Sequence, residues 1–215
     1  MNFANKYLHL LQARKTQHTA FKDEILPNTS YFFDDEFVLY SENDFNVSEV
    51  NIAKLLEADG FNLKENQKSF GWWNWYGFKF TKPLDFVVDI AERVSKLFKE
   101  TLPDLFSKHL EIKNKYDSKY FLGDSIFTSV VLNKNYDVGN HFDANTYPDT
   151  LEAMVTIKSG PKGGYLNFNG FKHTLKNEHG NIVIFDGVNN MHSVTKIPEG
   201  QERYTLLFLI NENIK

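Results

Sequence analysis

His141 and Asp143 stand two residues apart in the segment Gly139 to Asn145, and in an extended chain positions i and i+2 project to the same side. A histidine and a carboxylate therefore converge on one point. His192 comes much later, immediately after the turn-like stretch Asp186 to Asn190. Two imidazoles and one carboxylate form the facial donor set that holds iron(II) and leaves coordination positions open for a co-substrate and dioxygen. An H-x-D pair alone is weak, because a chain with seven histidines can show one by chance. Arg203 changes the reading. It opens the otherwise apolar strand Arg203 to Ile210, where a buried guanidinium is costly unless a carboxylate or phosphate meets it. Its planar fork suits a carboxylate, and Thr205, on the same face of a strand, adds a hydroxyl donor. A loop His–Asp pair, a core histidine and a surface arginine would each be unremarkable alone; the four together point to one metal-dependent site.

Two further sets of residues have two readings each. Asn145 follows the H-x-D and either donates to a substrate or ligand carboxylate or serves the turn chemistry of Ala144 to Asp149. The segment Gly71 to Phe78 is the most aromatic of the chain, and Trp73 and Trp75 within it are either a platform on which a base stacks or core packing between sheet and helix. His9, His18, His109, His173 and His179 read as structural or solvent-exposed.

The elements that must position these groups differ between the two halves. From Ser125 onward the chain alternates short apolar runs with turn residues: Ser125 to Asn133, Leu151 to Lys158, a Gly-Pro-Lys-Gly-Gly turn, Tyr165 to Phe168, Phe171 to Leu175, Asn181 to Asp186, Met191 to Ile197 and Arg203 to Ile210. About seven or eight strands without a helical period describe a sandwich or barrel closed on itself. Ile182 to Phe185 and Leu206 to Ile210 are apolar on both faces, so their sheet must be covered outside as well as inside. The cover is expected from the first half, where Pro83 opens an amphipathic segment with Leu84, Val87, Val88, Ala91, Val94, Phe98 and Leu102 at helical spacing, and a shorter helix runs from about Val50 to Leu56 and ends by Gly60. The expected fold is mainly β with flanking helices, a jelly-roll-like double-stranded β-helix braced on one sheet by N-terminal helices. Residues 1–215 read as one domain, with 1–120 as a helix-rich support and 121–215 as the β core.

Composition narrows the chemistry. With no cysteine, thiolate zinc sites, iron–sulfur clusters, disulfides and cysteine nucleophiles are excluded, and any metal must be held by nitrogen and oxygen. The net charge of -4 and scattered lysines lack the footprint of a tight duplex-DNA binder. Arginine occurs only at positions 14, 93 and 203 among many lysines, a bias that suggests an AT-rich bacterial or viral genome and makes Arg203 the more pointed. The amphipathic N-terminus has no secretory signal pattern and no run is apolar enough for a membrane span, so the expected location is the cytoplasm, of a bacterium or of a virus-infected host.

On the H-x-D, the distal histidine and the arginine beyond it, the chain resembles the 2-oxoglutarate/iron(II) dioxygenase superfamily over about Ser125 to Ile210. The stretches His141 to Phe168, Gly180 to Ile197 and Arg203 to Ile210 look most like the TET and J-binding-protein oxygenases, which hydroxylate the 5-methyl group of pyrimidines. Tyr136 and Gly139 give a more distant similarity to prolyl-hydroxylase-like members. The resemblance implies a double-stranded β-helix whose facing sheets carry His192 and Arg203, with His141, Asp143 and His192 as catalytic iron ligands and Arg203 and Thr205 holding 2-oxoglutarate. Tyr136 either bonds the far carboxylate, as in prolyl-hydroxylase-like relatives, or packs at a strand end. The implied reaction uses Fe(II), 2-oxoglutarate and dioxygen, releases succinate and carbon dioxide, and hydroxylates a C–H bond; halogenating relatives lack the carboxylate ligand that Asp143 supplies here. The substrate it implies is a nucleobase in DNA or a nucleotide, the alternatives being a peptide side chain, as in prolyl hydroxylation, or a small metabolite. A cupin-like non-redox metal protein would share the sandwich but has no use for Arg203.

Overall fold

In the computed structural model the described residues are 30–33, 37–43, 67–71, 85–160, 162–168, 173–175 and 179–214. They form two antiparallel sheets, two α-helices and one short 3-10 turn, Ser118–Tyr120. The strands are β1 (Ser30–Phe33), β2 (Phe37–Asn43), β3 (Gln67–Gly71), β4 (Ser129–Lys134), β5 (Val138–His141), β6 (Glu152–Ser159), β7 (Leu166–Phe168), β8 (His173–Leu175), β9 (Asn181–Phe185), β10 (His192–Val194) and β11 (Glu202–Leu209); the helices are α1 (Asp85–Thr101) and α2 (Pro103–Lys113). Neither described helix is long and apolar enough to cross a membrane. The larger sheet has the order β1-β2-β9-β6-β11-β4-β3, the smaller β5-β10-β7-β8.

Alternation along β11 separates two chemistries. Tyr204, Leu206 and Phe208 face outward with their cross-strand partners Ile157, Val155 and Ala153, and are buried under α1 through Val87, Ile90, Ala91, Val94 and Phe98. Arg203, Thr205 and Leu207 face inward with their partners Lys158, Thr156 and Met154. Between the sheets Met154, Leu166, Phe168, Leu175, Val183 and Phe185 form a second apolar cluster. The large sheet is thus buried on both faces, which explains the doubly apolar strands of the sequence.

The helical brace divides at Leu102, because Pro103 occupies the first turn of α2, where its missing N–H costs nothing but where it cannot continue α1. Strands from before residue 120 also enter the large sheet directly: β2 pairs with β9 and β3 with β4. The expected helix at 50–56 and the aromatic segment 72–78 lie outside the described residues.

Candidate metal centre

His141 ends β5, His192 begins β10, and the two are direct partners across the small sheet. Their rings lie 4.3 Å apart between centroids. Asp143, two residues past His141, is fixed by its N–H donating to Gly187 O at 2.9 Å. The 186–190 turn is itself an aspartate-capped loop, with Asn189 N–H donating to Asp186 Oδ1 at 2.9 Å. One turn therefore sets both the third ligand candidate and the entry to β10.

The imidazoles are oriented by backbone. His141 Nδ1 lies 2.9 Å from Gly139 O, and His192 Nδ1 lies 2.9 Å from Asn190 O. A carbonyl can only accept, so in each ring Nδ1 carries the hydrogen and Nε2 keeps its lone pair. His141 Nε2 is 3.5 Å from Asp143 Oδ1 and His192 Nε2 is 3.2 Å from Asp143 Oδ2. The ligand atoms of all three residues lie within 4.8 Å of one another. In the competing protonated state, with hydrogen on Nε2 as well, burial works against ionisation of Asp143, but both rings then donate to it and hold its carboxyl below the usual range. Bonding to Asp143 raises the His141 imidazole. Three electron-pair donors crowded on one point call for a cation at their centre, and a nitrogen and oxygen donor set with open positions fits iron(II).

Arg203 stands across the cavity. It is 2% exposed, its Nε has no partner, and its Nη2 contacts only the weak acceptor Met154 Sδ at 3.6 Å. Among the described residues no carboxylate pairs with it. Burial pushes the guanidinium down to about 10, so it stays charged at neutral pH. Gly164 permits this placement, since a Cβ there would overlap Arg203 Cδ and the residue has φ +65°. The backbone is clamped by Asn135, which accepts from Arg203 N–H at 2.8 Å and donates its own N–H to Arg203 O at 2.8 Å. Asn133 Nδ2 donates to Thr205 Oγ1 at 3.1 Å, which leaves the Thr205 hydroxyl hydrogen free to donate elsewhere. His141, Asp143 and His192 from one side, and Arg203, Thr205, Asn133 and Tyr136 from the other, line one open cavity with apolar walls from Met154, Leu166, Phe185 and Leu207.

Other residues singled out in the sequence fall elsewhere. Asn145 is exposed, adopts φ 67°, accepts from Glu212 N–H at 2.9 Å and does not line the cavity. Trp73 and Trp75, like His9 and His18, lie outside the described residues. His109 is fully buried, its Nε2 accepting from Leu151 N–H at 3.1 Å, and exposed His179 accepts from Lys158 N–H at 3.2 Å. Asn133 and Asn135 were not apparent from the sequence. Asn133 stands opposite Thr205 across β4 and β11, and Asn135, just past β4, bonds the backbone of Arg203.

Residues 79–211 match Tet_JBP, the oxygenase domain of the 2OGFeDO superfamily. Over 99 residues the chain is 24% identical to the bifunctional helicase and thymine dioxygenase JBP2 of Trypanosoma brucei brucei, an alignment spanning 46% of this chain and 9% of that protein. Among solved structures, NgTET1 in complex with 5mC DNA superimposes with a TM-score of 0.66 at 17% identity, covering 100% of this chain and 93% of that one. The viral collagen prolyl hydroxylase of Paramecium bursaria Chlorella virus-1 gives a TM-score of 0.49 at 15% identity, covering 79% of this chain and 93% of that one.

Proposed function

The chain belongs to the Tet_JBP family of 2-oxoglutarate/iron(II) oxygenases, and from that premise we propose that it hydroxylates the 5-methyl group of a pyrimidine base through His141, Asp143, His192 and Arg203. The family works with iron(II), 2-oxoglutarate and dioxygen. The observation that carries the assignment of residues is the buried Arg203, without a carboxylate partner among the described residues, facing a His–Asp–His donor set across one cavity.

Bound iron would activate dioxygen as 2-oxoglutarate loses carbon dioxide and becomes succinate, with one oxygen atom entering the substrate C–H bond and the other the succinate. The residues' own tasks follow from their placement. His141 and His192 present Nε2 lone pairs whose direction Gly139 O and Asn190 O enforce. Arg203 and the free hydroxyl hydrogen of Thr205 meet the distal carboxylate of a co-substrate held between facing sheets about 10 Å apart. Met154, Leu166, Phe185 and Leu207 exclude water around the ion pair so formed.

The substrate class draws support from the relatives named above, one a thymine dioxygenase and one bound to 5mC DNA. Incubation with iron(II), 2-oxoglutarate, and thymine- or 5-methylcytosine-containing DNA and nucleotides, followed by digestion and mass spectrometry, should reveal bases heavier by one oxygen. Succinate formed with no oxidised base in any of these would remove the nucleobase and point to a peptide or metabolite substrate.

A further inference from the structure

Arg203 is the second residue of β11, and the strands on its two sides hold it differently. On the β6 side it stands opposite Lys158, but the Lys158 N–H donates to His179 Nδ1 at 3.2 Å, away from β11, so this pair exchanges no backbone hydrogen bonds. Both backbone groups of Arg203 turn instead to the β4 side, past the last paired residue of that strand, Lys134, which stands opposite Tyr204. There Asn135 N–H donates to Arg203 O at 2.8 Å, and Arg203 N–H donates to Asn135 Oδ1 at 2.8 Å. In a regular ladder the second acceptor would be the backbone carbonyl of Asn135. The chain has left the ladder at this point: Asn135 adopts φ 49°, a left-handed conformation that asparagine tolerates better than most residues. Its side-chain oxygen stands in for the strand carbonyl.

We infer that Asn135 is a positioning residue for Arg203, fixing the backbone from which the guanidinium reaches the cavity while the chain turns out of the large sheet. The inference rests on Arg203 holding the distal carboxylate of 2-oxoglutarate. The turn has to occur here, because β4 belongs to the large sheet and β5 to the small one, and Tyr136 and Val138, just beyond Asn135, line the cavity. A strand that simply ended at Lys134 would leave the N–H of Arg203, a residue 2% exposed, buried without an acceptor. Asn135 removes that conflict with one side chain. The guanidinium needs a fixed base, since its own contacts are weak: Nε has no partner and Nη2 meets the thioether of Met154. A planar fork that meets a carboxylate through two parallel bonds depends on direction, and a backbone that drifts misaligns both bonds at once.

The test uses the full chain loaded with cobalt(II) under anaerobic conditions and titrated calorimetrically with two probes, 2-oxoglutarate and 2-oxobutyrate. The second has the same metal-binding end but no distal carboxylate. Asn135→Gly keeps the positive φ and removes only the side-chain acceptor; with circular dichroism showing an intact fold, it should weaken 2-oxoglutarate binding about 10-fold and leave the affinities for cobalt and 2-oxobutyrate at their wild-type values. Asn135→Ala removes the acceptor and disfavours the turn as well, and should lose at least as much. In an Arg203→Ala background the Asn135→Gly change should have no further effect, because no guanidinium remains to be positioned. Wild-type 2-oxoglutarate affinity in Asn135→Gly, an equal loss for both oxo acids, or an undiminished further loss in the Arg203→Ala background overturns the inference and leaves the role of Arg203 standing. An Arg203→Ala protein that binds 2-oxoglutarate as wild type does is a different result: it removes the co-substrate assignment, and the inference with it.

Discussion

At the scale of single residues, the donor atoms and the arginine make different demands, and substitution should separate them. His141→Ala, Asp143→Ala and His192→Ala should each abolish iron-dependent succinate formation with the fold preserved, because their side chains line a cavity and are not members of either apolar cluster. Arg203→Lys keeps the charge but loses the two-pronged donor, and should raise the 2-oxoglutarate concentration needed for half-maximal rate by about 10-fold, with Arg203→Ala at about 100-fold or more. Iron affinity should hardly move in either. Titration of metal and co-substrate separately checks the division, and an Arg203→Ala enzyme with unaltered co-substrate dependence would place the diacid elsewhere. The triad and Arg203 could be read from the chain because their chemistry demands particular residue types at particular spacings. Asn133 and Asn135 could not. An asparagine at or just past a strand end is ordinary, and what distinguishes these two is the atom they meet on a strand far away in sequence.

At the scale of elements, the strands of the second half were legible through their apolar runs and turn residues, whereas β5 was not. Its residues are half-buried or exposed, so it has no hydrophobic signature, and it is a strand because it pairs with β10. The helical cover was legible as an apolar stripe, but not its division into α1 and α2. His109 joins that cover to the sheet. It lies against Phe98 and Phe127 with ring centroids at 5.3 and 6.3 Å and accepts from the N–H just before β6. Burial, then the charge of Lys108, pushes its imidazole down to about 3. The unfolded chain thus binds a proton near pH 6.5 that the folded protein refuses, so the contribution of a neutral His109 is fully present above pH 6.5 and is lost as pH falls toward about 3. His109→Gln keeps an acceptor for Leu151 N–H without the titration, and should melt with a flatter dependence on pH below 6.5 than wild type. Identical acid limbs in the two melting profiles would show that another group governs acid unfolding.

At the scale of the whole molecule, charge limits how a nucleic acid can be held. The chain carries 24 lysines and arginines against 28 aspartates and glutamates. Of the two arginines in the described residues, Arg203 is sequestered in the cavity, and Arg93 lies on α1, on the outer side of the large sheet, 4.0 Å from Asp89. Neither is placed to read a phosphate backbone beside the metal centre. Binding through phosphates releases counterions, so its strength falls with salt at a slope near -0.9 per phosphate neutralised on a duplex and about -0.7 on a single strand. A protein that holds its substrate by enclosing a base in a pocket depends much less on salt. Fluorescence anisotropy of thymine- and 5-methylcytosine-containing oligonucleotides across about 50 to about 200 mM salt should therefore give a shallow slope, equivalent to about two phosphates or fewer. Single strands should be bound at least as well as duplexes, because an unpaired base reaches the pocket without the cost of extrusion. A steep slope, equivalent to about five phosphates or more, together with a preference for duplex, would contradict this and mean that lysines elsewhere on the chain assemble into a backbone-tracking surface.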